Sequence, residues 1–367
     1  MSLAFTNARI FTGTETIEGK VLIVRGNKID SITEPFSIPT ECEIIDCGGN
    51  HLSAGFIDLQ IAGGCGYLFS SDPTPEALAA ITRAIVRTGT TGFLIAIPTN
   101  SMEVYRQVIK VVAENPHPAL LGLHIEGPFI NPLRRGAHIM EYIRPPVKED
   151  VEAIVSQAAG VIGMMTLAPE LCSPEVIELL NNHGIVVAAG HSNATFNEAV
   201  EGFRNGIRTT THLYNAMSPL HHRNPGLAAA VFQTPGVFAS IIADGIHVDY
   251  NMVSIAKKLL GNRLFLISDA VEENRKEAYM HIRREDRFTL PDGTLSGSAL
   301  TMMKAVENCV KHVSIPLEEA LRMATLYPAR VMRIAGRGSI EPGYRADLVV
   351  FDDDFKVQKV CMNGALI

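Results

Sequence analysis

The strongest constraint on how this chain can fold is a repeat of hydrophobic texture. Eight short apolar runs recur at residues 56–61, 92–97, 119–125, 161–167, 185–189, 209–213, 238–243 and 264–267. Most are separated by stretches whose apolar residues recur every three to four positions. In residues 75–87, for example, Leu78, Ile81, Ile85 and Val86 fall on one helical face. Residues 101–113, 151–158, 173–181, 250–260 and 300–312 read the same way, and residues 225–232 carry the weakest helical pattern of the set. Near-continuous apolar strands alternating with helices predict a parallel sheet covered on both faces. Eight such units predict a closed (β/α)8 TIM barrel, within the α/β class. An open sheet that binds a dinucleotide would carry GxGxxG after its first strand, and Gly63-Gly64-Cys65-Gly66 has the wrong spacing for it.

The two ends of the chain have a different texture. Residues 4–11, 19–24, 43–46, 343–351 and 357–362 are short, partly alternating runs punctuated by Gly, Asn, Pro and Asp. They predict a small β-sandwich domain built from residues 1–53 plus 335–367. The catalytic barrel would then span 54–334, with a last helix over 316–333 leading back to the β unit. Apolar residues make up 47% of the 367 and charged residues 19%, so a large core is available and disorder is not indicated. The net charge of −7, with no lysine/arginine cluster, argues against nucleic acid or a membrane surface as partner. No apolar stretch is long enough to cross a bilayer, and the N-terminus lacks the layout of a secretory signal. Six scattered cysteines form no CxxC pair and no disulfide framework, which predicts a reducing cytoplasmic location.

In such a barrel, function gathers where strands end. Residues 184–217 show this most plainly. An apolar run breaks at Gly190 and delivers His191; an amphipathic segment follows, with Phe196, Ala199, Val200 and Phe203 on one face; a second short run then delivers His212. Parallel strands joined by a helix end on the same sheet edge, so the two imidazoles stand side by side. The third strand ends in His124-Ile125-Glu126-Gly127-Pro128, the seventh runs into Asp244-Gly245-Ile246-His247, and the eighth stops at Ser268-Asp269-Ala270. Any one of these side chains alone would be an ordinary surface polar group or helix cap. Together they converge on one rim. Glu126, His191 and His212 offer one carboxylate and two imidazoles, the donor set of a catalytic Zn2+ or similar divalent ion with a position left open. Asp269 is not needed as a ligand and can carry a proton from an attacking water to the leaving group. His247 can hydrogen-bond a substrate carbonyl or hydroxyl and stabilise charge developing on oxygen. The reaction class this predicts is hydrolysis of an amide or ester.

Longer motifs carry these residues. They are Ala54-Gly55-Phe56-Ile57-Asp58, Gly122-Leu123-His124-Ile125-Glu126-Gly127-Pro128-Phe129 and Ala189-Gly190-His191-Ser192-Asn193-Ala194. Thr211-His212-Leu213-Tyr214-Asn215-Ala216-Met217, Ile242-Ala243-Asp244-Gly245-Ile246-His247-Val248-Asp249 and Gly293-Thr294-Leu295-Ser296-Gly297-Ser298 complete the set. With them the chain resembles, over nearly its whole length, the amidohydrolase superfamily, and within it the deacetylases of phosphorylated N-acetyl amino sugars. The resemblance implies a (β/α)8 barrel beside a β-sandwich, and release of acetate from N-acetyl-D-glucosamine 6-phosphate in amino-sugar catabolism. It implies Glu126, His191 and His212 as metal ligands and Asp269 as the acid/base. It further implies sugar and phosphate contacts from Ala137, His138, Asn215, Ala216, His247, Ser296, Gly297 and Ser298. Arg223, in Leu220-His221-His222-Arg223-Asn224-Pro225-Gly226, can grip a phosphate bidentately. In the resembling family it reaches across from a neighbouring subunit, which implies a homodimer. Read alone, His221-His222-Arg223 is a solvated polar loop, and Ser296-Gly297-Ser298 a cap and turn before a helix.

One departure matters. Most superfamily members carry His-x-His at the end of the first strand and hold two metals, whereas this chain reads Gln60-Ile61-Ala62. An amide is a poor ligand and alanine none, so a single metal is expected, with Gln60 at most near a water on it. Zinc fits best, and iron, manganese or cobalt also suit the donor set. Two rival readings share the sequence. Another metal-dependent amidohydrolase would keep the ligands without a phosphate seat, and a non-catalytic scaffold of the same fold would have lost the ligands that are present here.

Overall fold

The structure, a computed structural model, describes residues 2–158, 160–276 and 279–367. At its centre eight strands lie side by side in chain order, each parallel to the next. They are β1 (Phe56–Ile61), β2 (Thr90–Pro98), β3 (Leu120–Glu126), β4 (Ile162–Leu167), β5 (Val186–Ala189), β6 (Thr209–Thr210), β7 (Phe238–Ile241) and β8 (Leu264–Leu266). The first and last meet just beyond β8. Asp269 N–H donates to Gln60 C=O at 2.9 Å, Ala62 N–H donates to Ala270 C=O at 2.8 Å, and Ile61 and Ala270 form a parallel bridge. Every residue of β1 is buried, as expected of a strand covered on both sides.

The helices cover the outside and start where sequence chemistry places them. Helix α1 (Pro75–Arg87) opens with Thr74 accepting from Ala77 N–H, has Pro75 in its first turn, and buries Leu78, Ile81, Ile85 and Val86. Helices α2 (Met102–Glu114), α3 (Lys148–Val155), α4 (Pro174–Asn182), α5 (Phe196–Arg204), α6 (Gly226–Gln233), α7 (Tyr250–Leu260) and α8 (Met302–Val313) follow. Helix α5 carries a full capping box between Thr195 and Glu198, which fixes the chain just after His191. The final helical stretch is not the single helix expected over 316–333. It breaks at Thr325 into α9 (Leu317–Ala324) and α10 (Leu326–Val331). Pro328 has no N–H for the carbonyl of Ala324, and its ring would strike that carbonyl.

Strands from both chain ends share one six-stranded sheet. In it Leu348–Phe351 pairs antiparallel with His51–Ala54 on one side and Val357–Met362 on the other. A four-stranded sheet holds Ser2–Thr6, Val21–Arg25, Lys28–Thr33 and Glu43–Asp46. Leu3, Phe5, Ile10, Leu22, Leu52, Leu348 and Val350 belong to an apolar cluster separate from that of the barrel. The run over 4–11 is two strands, split at Asn7, whose φ of +50° turns the chain from one sheet into the other. A second feature outside the sequence reading is a three-stranded ribbon, Ile282–Arg283, Arg287–Thr289 and Leu295–Ser298, between β8 and α8. All six cysteines are free. Among the described residues no helix is long and apolar enough to cross a membrane.

Candidate metal centre and substrate cavity

Glu126 is the last residue of β3, and His191 and His212 follow β5 and β6 by two residues each. Both histidines and Asp269, just past β8, take positive φ, at 47°, 33° and 50°. Non-glycine residues adopt that conformation at a cost of about 1–3 kcal/mol, so three of them on one rim mark a site held in place by its surroundings. The left-handed turn at His212 is also why β6 stops at Thr210 rather than running to Leu213.

The three side chains close on one point. His191 Nε2 is 3.2 Å from Glu126 Oε1, His212 Nε2 is 2.9 Å from the same oxygen, and the two nitrogens are 3.1 Å apart. Donors about 2.1 Å from a shared ion in tetrahedral array stand about 3.4 Å from each other. The observed spacing is therefore that of a ligand set. The hydrogen positions agree. His191 Nδ1 lies 2.9 Å from the carbonyl of Arg134, which can only accept, so Nδ1 carries the hydrogen and Nε2 presents a lone pair. A lone pair facing a carboxylate oxygen at 3.2 Å is unfavourable unless a cation lies between them. These residues fit a divalent metal, and they form a group of buried side chains able to hold one.

Electrostatics within the cluster point the same way. Burial alone would raise the Glu126 carboxyl, but the His138, His191 and His212 imidazoles set around it outweigh burial and hold it well below the usual range. Burial, with His138 nearby, lowers His191 to about 4, leaving it neutral and able to ligate. For His212, burial opposes charge but Glu126 outweighs it, and the net shift is upward. Burial and the Glu126 carboxylate push Asp269 up.

The surrounding residues divide into those that face this point and those that do not. Gln60 does more than approach a water. Its Nε2 donates to Glu126 Oε1 at 3.0 Å and to Asp269 Oδ1 at 2.8 Å, tying the two carboxylates together. Thr99 N–H donates to His138 Nδ1 at 3.2 Å, so His138 carries its hydrogen on Nε2, 3.7 Å from Glu126 Oε2. With that hydrogen turned toward the carboxylate, it is not set as a further ligand. Asp244 Oδ2 stands 2.6 Å from His247 Nδ1 and fixes that ring. His124, despite its place beside Glu126 in sequence, donates from Nδ1 to Leu59 C=O and accepts from Thr166 at Nε2, inside the barrel. Burial lowers it to about 4.

A cavity of about 210 Å³ opens over the cluster, lined by Ala137, His138, Asn215, Ala216, His247, Asp269, Ser296 and Gly297 among others. Two expected contacts are not part of it. Ser298 is fully buried, and its hydroxyl donates to Ser268 C=O and accepts from Leu300 N–H, so it supports the ribbon and does not meet the cavity. Ser296-Gly297-Ser298 is strand, not a cap; Thr301 caps α8. Arg223 is exposed, donates to His222, and lines a separate cavity with Asn193, Thr195 and His221. Asp244 stood at its strand end with no role assigned, and Tyr279 and His281 were not singled out in the sequence. Asp244 had a usable signal, its i, i+3 spacing to His247 at a strand end. Tyr279 and His281 had none, since they sit in the ribbon region that no periodicity announced.

Comparison with known proteins agrees with this geometry. The profile of the amidohydrolase family matches residues 51–367, and that of the NagA composite domain residues 3–52. The chain belongs to the amidohydrolase family. This amidohydrolase is 34% identical to N-acetylglucosamine-6-phosphate deacetylase of Haemophilus influenzae, across 99% of each chain. It is likewise 34% identical to an N-acetylgalactosamine-6-phosphate deacetylase of a Shewanella species, across 86% of this chain and 83% of that one. The crystal structure of N-acetylglucosamine-6-phosphate deacetylase from Pasteurella multocida superposes over 100% of both chains with a TM-score of 0.96 at 36% identity. End-to-end matches of this kind extend the likeness beyond the barrel to the terminal sheets.

Proposed function

We propose that this amidohydrolase removes acetate from N-acetyl-D-glucosamine 6-phosphate, giving D-glucosamine 6-phosphate, in amino-sugar catabolism. One observation carries the chemistry: two nitrogens and a carboxylate oxygen meet at 2.9–3.2 Å with Asp269 tied to them through Gln60. The full-length likeness to named deacetylases supports the substrate. Glu126, His191 and His212 would hold one divalent ion, zinc by our reading, and when bound it would supply Lewis acidity to the amide carbonyl and to the attacking water. Asp269 takes the proton of the attacking water and returns it to the departing sugar nitrogen, so water and amide become acetate and amine. Gln60 keeps the Asp269 carboxylate turned toward that transfer. His247, fixed by Asp244, meets the carbonyl oxygen as charge gathers there.

Ala137, His138, Asn215, Ala216, Ser296 and Gly297 form the sugar seat in this reading. Arg223 completes the phosphate seat of a partner subunit in a homodimer, which is why it need not face the cavity of its own chain. Arg223→Ala should therefore raise KM for the 6-phosphate at least tenfold with little change in kcat, measured by steady-state kinetics; an unchanged KM moves the phosphate seat elsewhere. The free cysteines support a cytoplasmic location. The separate apolar clusters support a β-sandwich domain of residues 1–53 plus 335–367 beside a barrel of 54–334.

The deciding test is acetate release by metal-loaded enzyme from N-acetylglucosamine 6-phosphate, from its unphosphorylated parent, and from N-acetylgalactosamine 6-phosphate. Strong preference for the first supports the proposal. Equal rates with and without phosphate would favour a different amide substrate. Preference for the galactose epimer would favour the activity named for the Shewanella relative.

A further inference from the structure

We infer that His281, together with Ser296, reads a ring hydroxyl of the amino sugar and so sets sugar specificity; this rests on the deacetylase reading above. His281 is 4% exposed and lines the catalytic cavity beside Leu295, Ser296 and Gly297. Its Nδ1 is 2.8 Å from Ser296 Oγ. Its backbone is pinned by two hydrogen bonds with Asn274, at 3.1 and 2.8 Å, and its ring is stacked on Tyr279 at an interplanar angle of 11°. Tyr279 is anchored in turn by donating to Thr99 C=O at 2.6 Å. The ring is thus held rigidly in the cavity wall, with Nδ1 engaged and Nε2 the nitrogen left to face a ligand.

The chemistry of the pair selects the group it can meet. Burial lowers His281 to about 4, so it is a neutral imidazole at working pH. With Nδ1 bonded to Ser296, the free Nε2 and the Ser296 hydroxyl between them leave one donor and one acceptor for a ligand. That combination matches a sugar hydroxyl, which also both donates and accepts. It matches less well the phosphate, whose ionised oxygens only accept, and the reacting amide lies in this reading at the metal cluster. A buried polar pair of this kind discriminates strongly, because an analogue lacking the hydroxyl leaves both partners unsatisfied.

The experiment is a cycle between protein and substrate. Wild-type, His281→Phe and Ser296→Ala enzymes, all metal-loaded, are assayed on N-acetylglucosamine 6-phosphate and on its 3-deoxy and 4-deoxy analogues. Phenylalanine keeps the ring against Tyr279 and removes both nitrogens. For the wild type, loss of one of the two hydroxyls should lower kcat/KM by about tenfold or more. His281→Phe should raise KM for the parent sugar by a similar factor, leave kcat within about threefold, and turn over that deoxy analogue as well as the parent. Persistence of both deoxy penalties in the variant, or wild-type KM on the parent sugar, overturns the assignment. If His281→Phe loses metal or melts early, Ser296→Ala carries the same comparison with the same two outcomes. A wild-type enzyme inert on both epimeric 6-phosphates would sink the deacetylase reading and this inference with it. An active enzyme with unchanged penalties sinks this inference alone.

Discussion

At the residue scale the site is a balance of carboxylates with different fates. Glu126 is held ionised by three histidines, while Asp269 is pushed toward its protonated form and so can hold a proton between two steps. Asp269→Asn should keep the metal, measured by elemental analysis, and lower kcat by about a hundred- to ten-thousand-fold. Near-normal kcat would remove Asp269 from the reaction. A third carboxylate, Asp58, is enclosed in β1, where it accepts from Gln60 N–H and Ser268 N–H at 3.2 Å and meets the Ser268 hydroxyl. Burial raises it to about 7 from 3.8. The folded state therefore binds this proton more tightly than the unfolded chain. Its contribution to stability is complete below about pH 4 and is lost as pH rises toward about 7. Asp58→Asn mimics the protonated acid and should flatten that dependence, read as urea midpoints at about pH 5 and about pH 8. Equal slopes in the two proteins would show that Asp58 titrates normally. The clustering of Glu126, His191, His212 and Asp269 was legible in the sequence because each follows an apolar run. Gln60's double hydrogen bond was not, since a bond between β1, β3 and the end of β8 depends on how the barrel closes.

At the element scale the catalytic edge is set by close contact between strand ends. Gly190 lies between β5 and His191, and a Cβ there would stand 2.7 Å from Thr166 Cγ2 and 3.0 Å from Thr211 Cβ. Those two threonines share a 2.6 Å hydrogen bond, and His124 bonds to the first of them. Gly190→Ala must therefore push β5 away from β4 and β6, and it should weaken metal retention against a chelator as well as lower Tm. Full metal retention would show that the strand ends adjust without moving His191. Periodicity placed the eight outer helices α1 to α8 within a few residues, because caps such as Thr74 and the Thr195–Glu198 box are local. It failed where the decisive group lay elsewhere: Pro328 acting four residues back on Ala324, and the ribbon after β8 whose strands are two to four residues long.

At the scale of the whole molecule, one acidic residue helps to fasten the C-terminal segment to the barrel. Asp347 C=O accepts from Gly55 N–H at the start of β1. Its carboxylate lies 3.2 Å from Arg337 and 3.0 Å from Arg345, and Arg337 in turn donates to the carbonyl of Pro118 before β3. The Arg337 and Asp347 side chains are only 9% and 7% exposed. Asp347→Ala leaves buried positive charge without a partner and should cost about 3–5 kcal/mol in chemical denaturation. A loss under about 1 kcal/mol would mean the pair is as weak as a surface one. That both ends pair in one sheet was readable from their shared texture, whereas this fastening was not, because its partners are 219 and 292 residues apart from their barrel contacts. The join between first and last strands has a kinetic corollary. Asp269 donates its own backbone N–H across that join. The proposed proton carrier is thus positioned by the last seam of the ring, and on that proposal an unsealed barrel, however helical, would be chemically silent.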